Sequence, residues 1–116
     1  MIALTQQAQI HAAATSGDPE LQTLISNRID ELAEFGPIDE LAHFLIVEPQ
    51  DDLDAIDAHL GFSVLERPVD VIERHARWFE LTYVLRDDGF GVVVFVPMEG
   101  SSKPLLDLCR QHHMEM

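Results

Sequence analysis

Between Arg77 and Met98 the chain reads RWFELTYVLRDDGFGVVVFVPM, two runs of β-branched and aromatic residues broken once, at Asp87-Asp88-Gly89. Such runs on either side of a turn signal predict a β-hairpin. In the first run Phe79, Leu81, Tyr83 and Leu85 fall on one face, and Trp78, Glu80, Thr82, Val84 and Arg86 on the other. One face therefore belongs to a core and the other is partly wet. The second run differs. Phe90, Val92, Val94 and Val96 alternate with Gly91, Val93 and Phe95, so both faces are apolar. A strand of that kind is covered on both sides, either centrally in a sheet or by a partner chain. An Asp88-Gly89 loop pairs Tyr83 with Val94. A three-residue loop with a left-handed Gly89 pairs Tyr83 with Val93. Pro97 cannot donate to a ladder and marks the strand end.

Upstream, the pattern is mostly helical. Residues 2 to 14 are rich in Ala and Gln and predict a weakly anchored helix. Asp18-Pro19-Glu20 is a helix start, and Leu21, Leu24, Ile25, Ile29, Leu32 and Phe35 recur at helical spacing until Gly36-Pro37. The continuous apolar run Leu41 to Glu48, ended by Pro49, predicts a buried strand, with a helix running in from Asp39 as the competing possibility. Asp51 or Asp52 caps a helix with Leu53, Ile56 and Leu60 inward, stopped by Gly61. Phe62 to Leu65 suits a short strand, and Pro68 to Ala76 a helical piece. Pro104 through Gln111 predicts a last helix.

These elements add up to a single α+β domain over residues 1–116. A small sheet is built on the C-terminal β-hairpin at 77–98, joined by strand 41–48 and a short strand at 62–66. About three to four helices, including 18–35, 51–60 and 104–112, pack on it. Residues 1–15 and 112–116 are expected to be loosely ordered.

Charge changes the picture of the surface. The formal net charge is −14. Residues 1 to 66 contain one Lys or Arg, Arg28, while the other six basic residues follow. Direct nucleic-acid binding or attachment to an anionic membrane is disfavoured for that first half. A basic protein, or the basic segment of a neighbouring copy, is the natural partner. No run is long enough to span a bilayer. The first seventeen residues do not read as a signal peptide, so the cytoplasm is the expected compartment.

Candidate chemistry is sparse. His43 sits inside the predicted buried strand, where a histidine is more often a core residue than a base. His59 lies near Asp57 without a defining spacing. His75, between Arg74 and Arg77, could face an anion. Together His43, His59 and His75 are the histidines available to a catalytic or ligand site. Cys109 and His113 share a helical spacing of four, but two soft ligands fall short of a structural zinc site. The run Asp51 to Asp57 lacks the glycine and closing glutamate of a calcium loop. No nucleophile elbow, phosphate loop or triad order is present, and no metal or cofactor is expected.

The segments FGPIDELAHFLIVEPQDDLDAIDAHLGF and RWFELTYVLRDDGFGVVVFVPM resemble short uncharacterised proteins carried on proteobacterial plasmids and other mobile elements. The similarity spans residues 35 to 110. It implies a bacterial, plasmid-accessory setting and transfers no catalytic or binding residue.

Function is expected to follow from the two-faced strand. Trp78, Val84, Val93 and Phe95 would form an interface between copies, giving a non-enzymatic homo-oligomer whose acidic face engages a basic partner or mimics the charge of DNA. The strip Arg67, Arg74 and Arg77 would meet a partner or an anion. The alternatives are a small hydrolase or ligand-binding protein with a His/carboxylate site at a subunit junction, and nucleic-acid contact through the Arg strip of an assembly.

Overall fold

The computed structural model describes residues 1–114, and among these it is a five-stranded mixed sheet with five helices. The order along the chain is β1 (Ile2–Leu4), α1 (Gln7–Ala13), α2 (Pro19–Leu32), α3 (Ile38–Leu41), β2 (Ala42–Ile46), α4 (Leu53–Leu60), β3 (Val71–Arg74), β4 (Trp78–Val84), β5 (Gly91–Pro97) and α5 (Lys103–Met114). Across the sheet the order is β1-β2-β5-β4-β3. β2 and β5 run parallel, and every other pair is antiparallel. The sheet therefore draws strands from the whole chain and is not built on a C-terminal hairpin alone. No described helix is long and apolar enough to cross a membrane.

β5 is the central strand, and all seven of its residues are buried. Its side chains alternate between two cores. Val92, Val94 and Val96 join Leu81, Tyr83, Ile56, Leu105 and Leu108 beneath α4 and α5. Val93 and Phe95 join Ile10, Leu21, Ile25, Ile38 and Phe44 beneath α1, α2 and α3. The two apolar faces are covered by the chain's own helices. Val93 and Phe95 are consequently not the exposed interface residues that the strand pattern suggested.

The helix ends follow their chemistry. Asp18 Oδ1 accepts from the backbone N–H of Glu20 at 2.8 Å and of Leu21 at 3.3 Å, which starts α2. Asp52 Oδ1 accepts from Ala55 N at 2.8 Å and starts α4, which ends at Gly61 in the left-handed region, φ 81°. α2 stops at Leu32, before the expected Phe35, whose ring is 72% exposed and anchors nothing.

Other elements differ from the sequence pattern. Residues 2–14 divide into β1, which pairs with β2 from Ile2↔Ile46 to Leu4↔Phe44, and the short helix α1. The stretch expected as a strand at 62–66 is a turn, with Glu66 and Arg67 both donating to Ser63 O. The helical piece expected at 68–76 contains β3, an edge strand paired to β4 from Val71↔Thr82 to Arg74↔Phe79. Partnership with β4 outweighs the helix propensity of Glu73 and Arg74. Both possibilities at 38–48 are realised in part, since one turn of α3 leads into β2. α5 continues through His112 and His113, so these are not a loose tail, while residues 115 and 116 lie outside the described residues.

The turn between β4 and β5 adopts neither expected register: Tyr83 pairs with Val92. Gly89 N donates to Arg86 O, Phe90 O accepts from Leu85 N and Arg86 N, and Asp88 Oδ1 accepts from Phe90 N. These bonds centre the turn one residue earlier than an Asp88-Gly89 loop would. Gly91 is required on steric grounds, because a Cβ there would stand 2.5 Å from the Tyr83 carbonyl oxygen.

Burial gives a direct test of which residues are core. Phe95→Ala should cost about 3–5 kcal/mol of unfolding free energy, the usual range for emptying a buried aromatic site. Val84→Thr, at a position 38% exposed, should stay within about 0.5 kcal/mol. Chemical denaturation of both variants, repeated at two protein concentrations, reads the difference. A concentration-dependent loss at Phe95 would place it between copies instead.

Candidate functional site

The far end of the sheet, where β3 pairs with β4, carries most of the chain's interior charge. Successive residues of a strand point to opposite faces. On the α2 face this brings together Glu73, His75, Glu80 and Arg28 around a concavity of about 80 Å³. Glu80 is the one buried charged residue among the described residues, 4% exposed. Arg28 Nη2, from α2, donates to Glu80 Oε1 at 2.5 Å, and Arg28 Nη1 donates to Glu31 Oε2 at 3.1 Å. The other Glu80 oxygen lies 3.0 Å from His75 Nε2, with Glu73 Oε2 3.7 Å from that same nitrogen. Burial works against the charged Arg28, but the hydrogen bond and attraction of Glu80 outweigh it and hold the guanidinium above its ordinary pKa.

Glu73, His75 and Glu80 could each offer a donor atom to a cation, with those atoms within 4.8 Å of one another. A histidine with two carboxylates suits a divalent metal by type. Arg28, however, already occupies one Glu80 oxygen and places a positive charge where the ion would sit. The arrangement serves better as an ion-pair network that lets a glutamate be buried than as a metal centre.

The other sequence candidates are dispersed. His43 and His59 line a second concavity of about 130 Å³ with Thr5, Leu60 and Leu85, and among the described residues no Asp or Glu lines it. The His43 ring stands edge-on to Phe90 at 4.8 Å between centroids. Burial holds its pKa below the ordinary value, against the opposing pull of Asp39. His43 and His59 thus share one concavity, and His75 lies in another. Among the described residues, His75 alone of the three has carboxylates within 4 Å in one copy, Glu80 at 3.0 Å and Glu73 at 3.7 Å.

The Arg67, Arg74 and Arg77 strip does not exist as a surface. Arg67 Nη2 donates to the Val84 carbonyl at 2.5 Å, and its guanidinium lies 5.0 Å from the Phe62 ring centroid. Arg77 turns toward the start of α2, where it pairs with Asp18 and with Glu20. Arg74 faces α5, sharing a concavity of about 300 Å³ with Phe79, Met98, Arg110 and His113. The three side chains thus have three different sets of neighbours. An arginine surface for nucleic acid therefore has no single face to occupy.

Trp78 is half-buried and packs against the α1–α3 core, with its indole Nε1 buried and unpartnered among the described residues. Val84 alone of the four proposed interface residues is exposed. Cys109 is fully buried, and burial pushes its thiol up to about 12. It is poorly suited to act as a nucleophile or metal ligand at neutral pH.

Sequence reasoning gave no site role to Arg28, Glu80 or Arg110, and paired His113 only with Cys109. Two signals were available for the first pair. Arg28 is the lone basic residue in residues 1 to 66, and Glu80 is the one charge between Trp78 and Thr82 on its face. No spacing rule connects positions 28 and 80.

The buried pair makes an asymmetric prediction. Arg28→Ala should destabilise by about 3–5 kcal/mol, because it leaves Glu80 buried without its counter-charge. Arg28→Met combined with Glu80→Leu should recover most of that loss. Urea denaturation of the single and double variants measures the coupling; independent, additive effects would show that the pair does not act as a unit.

Cys109 makes a second one. The unfolded thiol ionises around 9.0 and the folded thiol around 12. Its contribution to stability is therefore complete below the first value and lost as pH rises toward the second. Between pH 9 and 10 the wild-type protein should lose about 1 kcal/mol more stability than Cys109→Ala. Denaturant titrations at the two pH values measure the difference. A disulfide reagent should label Cys109 only after unfolding.

No protein-family model, curated protein or solved structure matches the chain, so geometry and charge alone bear on its function.

Proposed function

We propose that this protein is a non-enzymatic interaction protein whose acidic helical surface engages a basic protein partner. In the setting implied by its sequence resemblance, it would act as an accessory protein of a plasmid or other mobile element. The observation that carries this is the state of the carboxylates on the α1–α3 layer. Asp30, Glu34 and Glu40 are exposed there, and Asp39 is half-buried. Among the described residues none of the four has a cationic partner. Arg28, the only nearby basic residue in that half of the sequence, is turned inward to Glu80. The layer consequently presents uncompensated negative charge that a basic surface could neutralise.

Self-association has lost its original argument, because Val93 and Phe95 are spent within the monomer's own core. A basic partner that itself binds DNA would be occupied by charge mimicry, and a basic partner of another kind by simple complementarity.

The test compares wild type with Asp30→Asn/Glu34→Gln/Glu40→Gln as bait in extracts of the native host. The wild-type protein should retain a protein of high isoelectric point at low salt and release it as salt rises. The triple variant should retain it at least several-fold less well, since each removed charge weakens long-range attraction. Competition by duplex DNA would identify the charge-mimic case. Equal retention by both baits, or retention indifferent to salt, would rule out the acidic layer as the docking surface.

A further inference from the structure

The sequence contains twenty-one acidic residues and seven Lys or Arg, so every cation has carboxylates to spare. Five of the seven do find a protein acceptor. Arg28 bonds Glu80, Arg77 pairs with Asp18, Arg86 with Asp88, Lys103 with Asp107, and Arg67 donates to a backbone carbonyl. Among the described residues, Arg74 and Arg110 have no such partner. These two line the same concavity, of about 300 Å³, between the β3–β4 end of the sheet and α5. Among the described residues, no Asp or Glu lines it.

The arrangement follows from simple periodicities. Arg74 and Phe79 are directly opposed across β3 and β4, so both point to the α5 face. Arg110 and His113 are three residues apart on α5 and so share a helix face. His113 adds a ring nitrogen, Nδ1, that is buried without a partner among the described residues. A buried group in that state needs a partner, which a water, an ion or a ligand supplies. Phe79 and Met98 supply an apolar wall.

The geometry points to this concavity as a binding site for a small organic oxyanion, a molecule bearing a phosphate or carboxylate group. Arg74 and Arg110 would grip the oxyanion, and His113 would add a further donor. Guanidinium groups match both anions with paired N–H donors. The volume is at the lower end for small-molecule pockets, which suits a metabolite-sized ligand with its apolar part against Met98. The net charge of the chain does not forbid this, because at physiological ionic strength charges beyond about 8 Å are largely screened. The site is independent of the acidic docking surface and would survive its failure.

Amide NMR titration with inorganic phosphate and with acetate, against chloride at matched ionic strength, tests the site. Expected is a saturable shift concentrated at residues 74, 79, 98, 110 and 113, absent with chloride. Saturation by phosphate alone identifies a phosphorylated ligand, by acetate alone a carboxylate, and by both a general oxyanion site. Arg74→Gln and Arg110→Gln should each weaken binding roughly tenfold or more, the loss of one charge-assisted contact. Both positions are exposed, so the variants should fold, and unchanged melting temperatures check that. Arg67→Gln should leave the affinity as it was. The site is overturned by shifts that follow ionic strength alone, by no saturable shift with either anion, or by unchanged affinity in both arginine variants.

Discussion

The structure depends on β5 being apolar on both faces. A strand of seven buried residues cannot sit at a sheet edge or against water on either side without a large hydrophobic cost. It needs a strand on each flank and a helical layer above and below. β2 and β4 supply the flanks. α4 and α5 cover Val92, Val94 and Val96, while α1, α2 and α3 cover Val93 and Phe95. The rest of the chain is arranged to meet that requirement. β1, for example, extends the sheet past β2 and contributes Leu4 to the same core as Phe95.

The same alternation that divides the apolar side chains also sorts the charges. At the β3–β4 end, Glu73, His75 and Glu80 go to the α2 face, while Arg74 goes to the α5 face. A buried carboxylate is tolerable only with a close counter-charge. Arg28 is the sole candidate from the first half of the sequence, and it reaches Glu80 from α2. Drawing that cation inward has two effects. It permits Glu80 in the interior, and it leaves Asp30, Glu34, Asp39 and Glu40 without a cationic partner among the described residues.

What was readable in the sequence was local. Asp18-Pro19 and Asp52 mark helix starts because their side chains cap the next backbone N–H groups, and Gly61 marks a stop because it adopts a left-handed conformation. The need to cover both faces of β5 was also readable, from the continuous run of valines. What covers them was not, since the choice between a second copy and the chain's own helices is settled by distant packing. β1 and β3 were missed for a related reason. Ile2–Leu4 and Val71–Arg74 are short, and their strand character comes from pairing with β2 and β4. The site residues were the least legible. Arg67, Arg74 and Arg77 look like one strip in sequence, yet each answers to a different neighbour in space. Arg28 with Glu80, and Arg74 with Arg110, are joined only by the fold.

Charge segregation by strand pleat also explains how one small acidic chain could present two opposite surfaces. Overall charge governs behaviour at long range, where screening soon erases detail. At contact distance the local donors decide. The α1–α3 layer offers unpaired carboxylates, and the α5 face offers two arginines without an acceptor among the described residues. The sheet lies between them, and its buried hydrogen-bonded strands hold the two faces apart. A substitution on one face therefore need not disturb the other, because no side chain of β3 or β4 belongs to both.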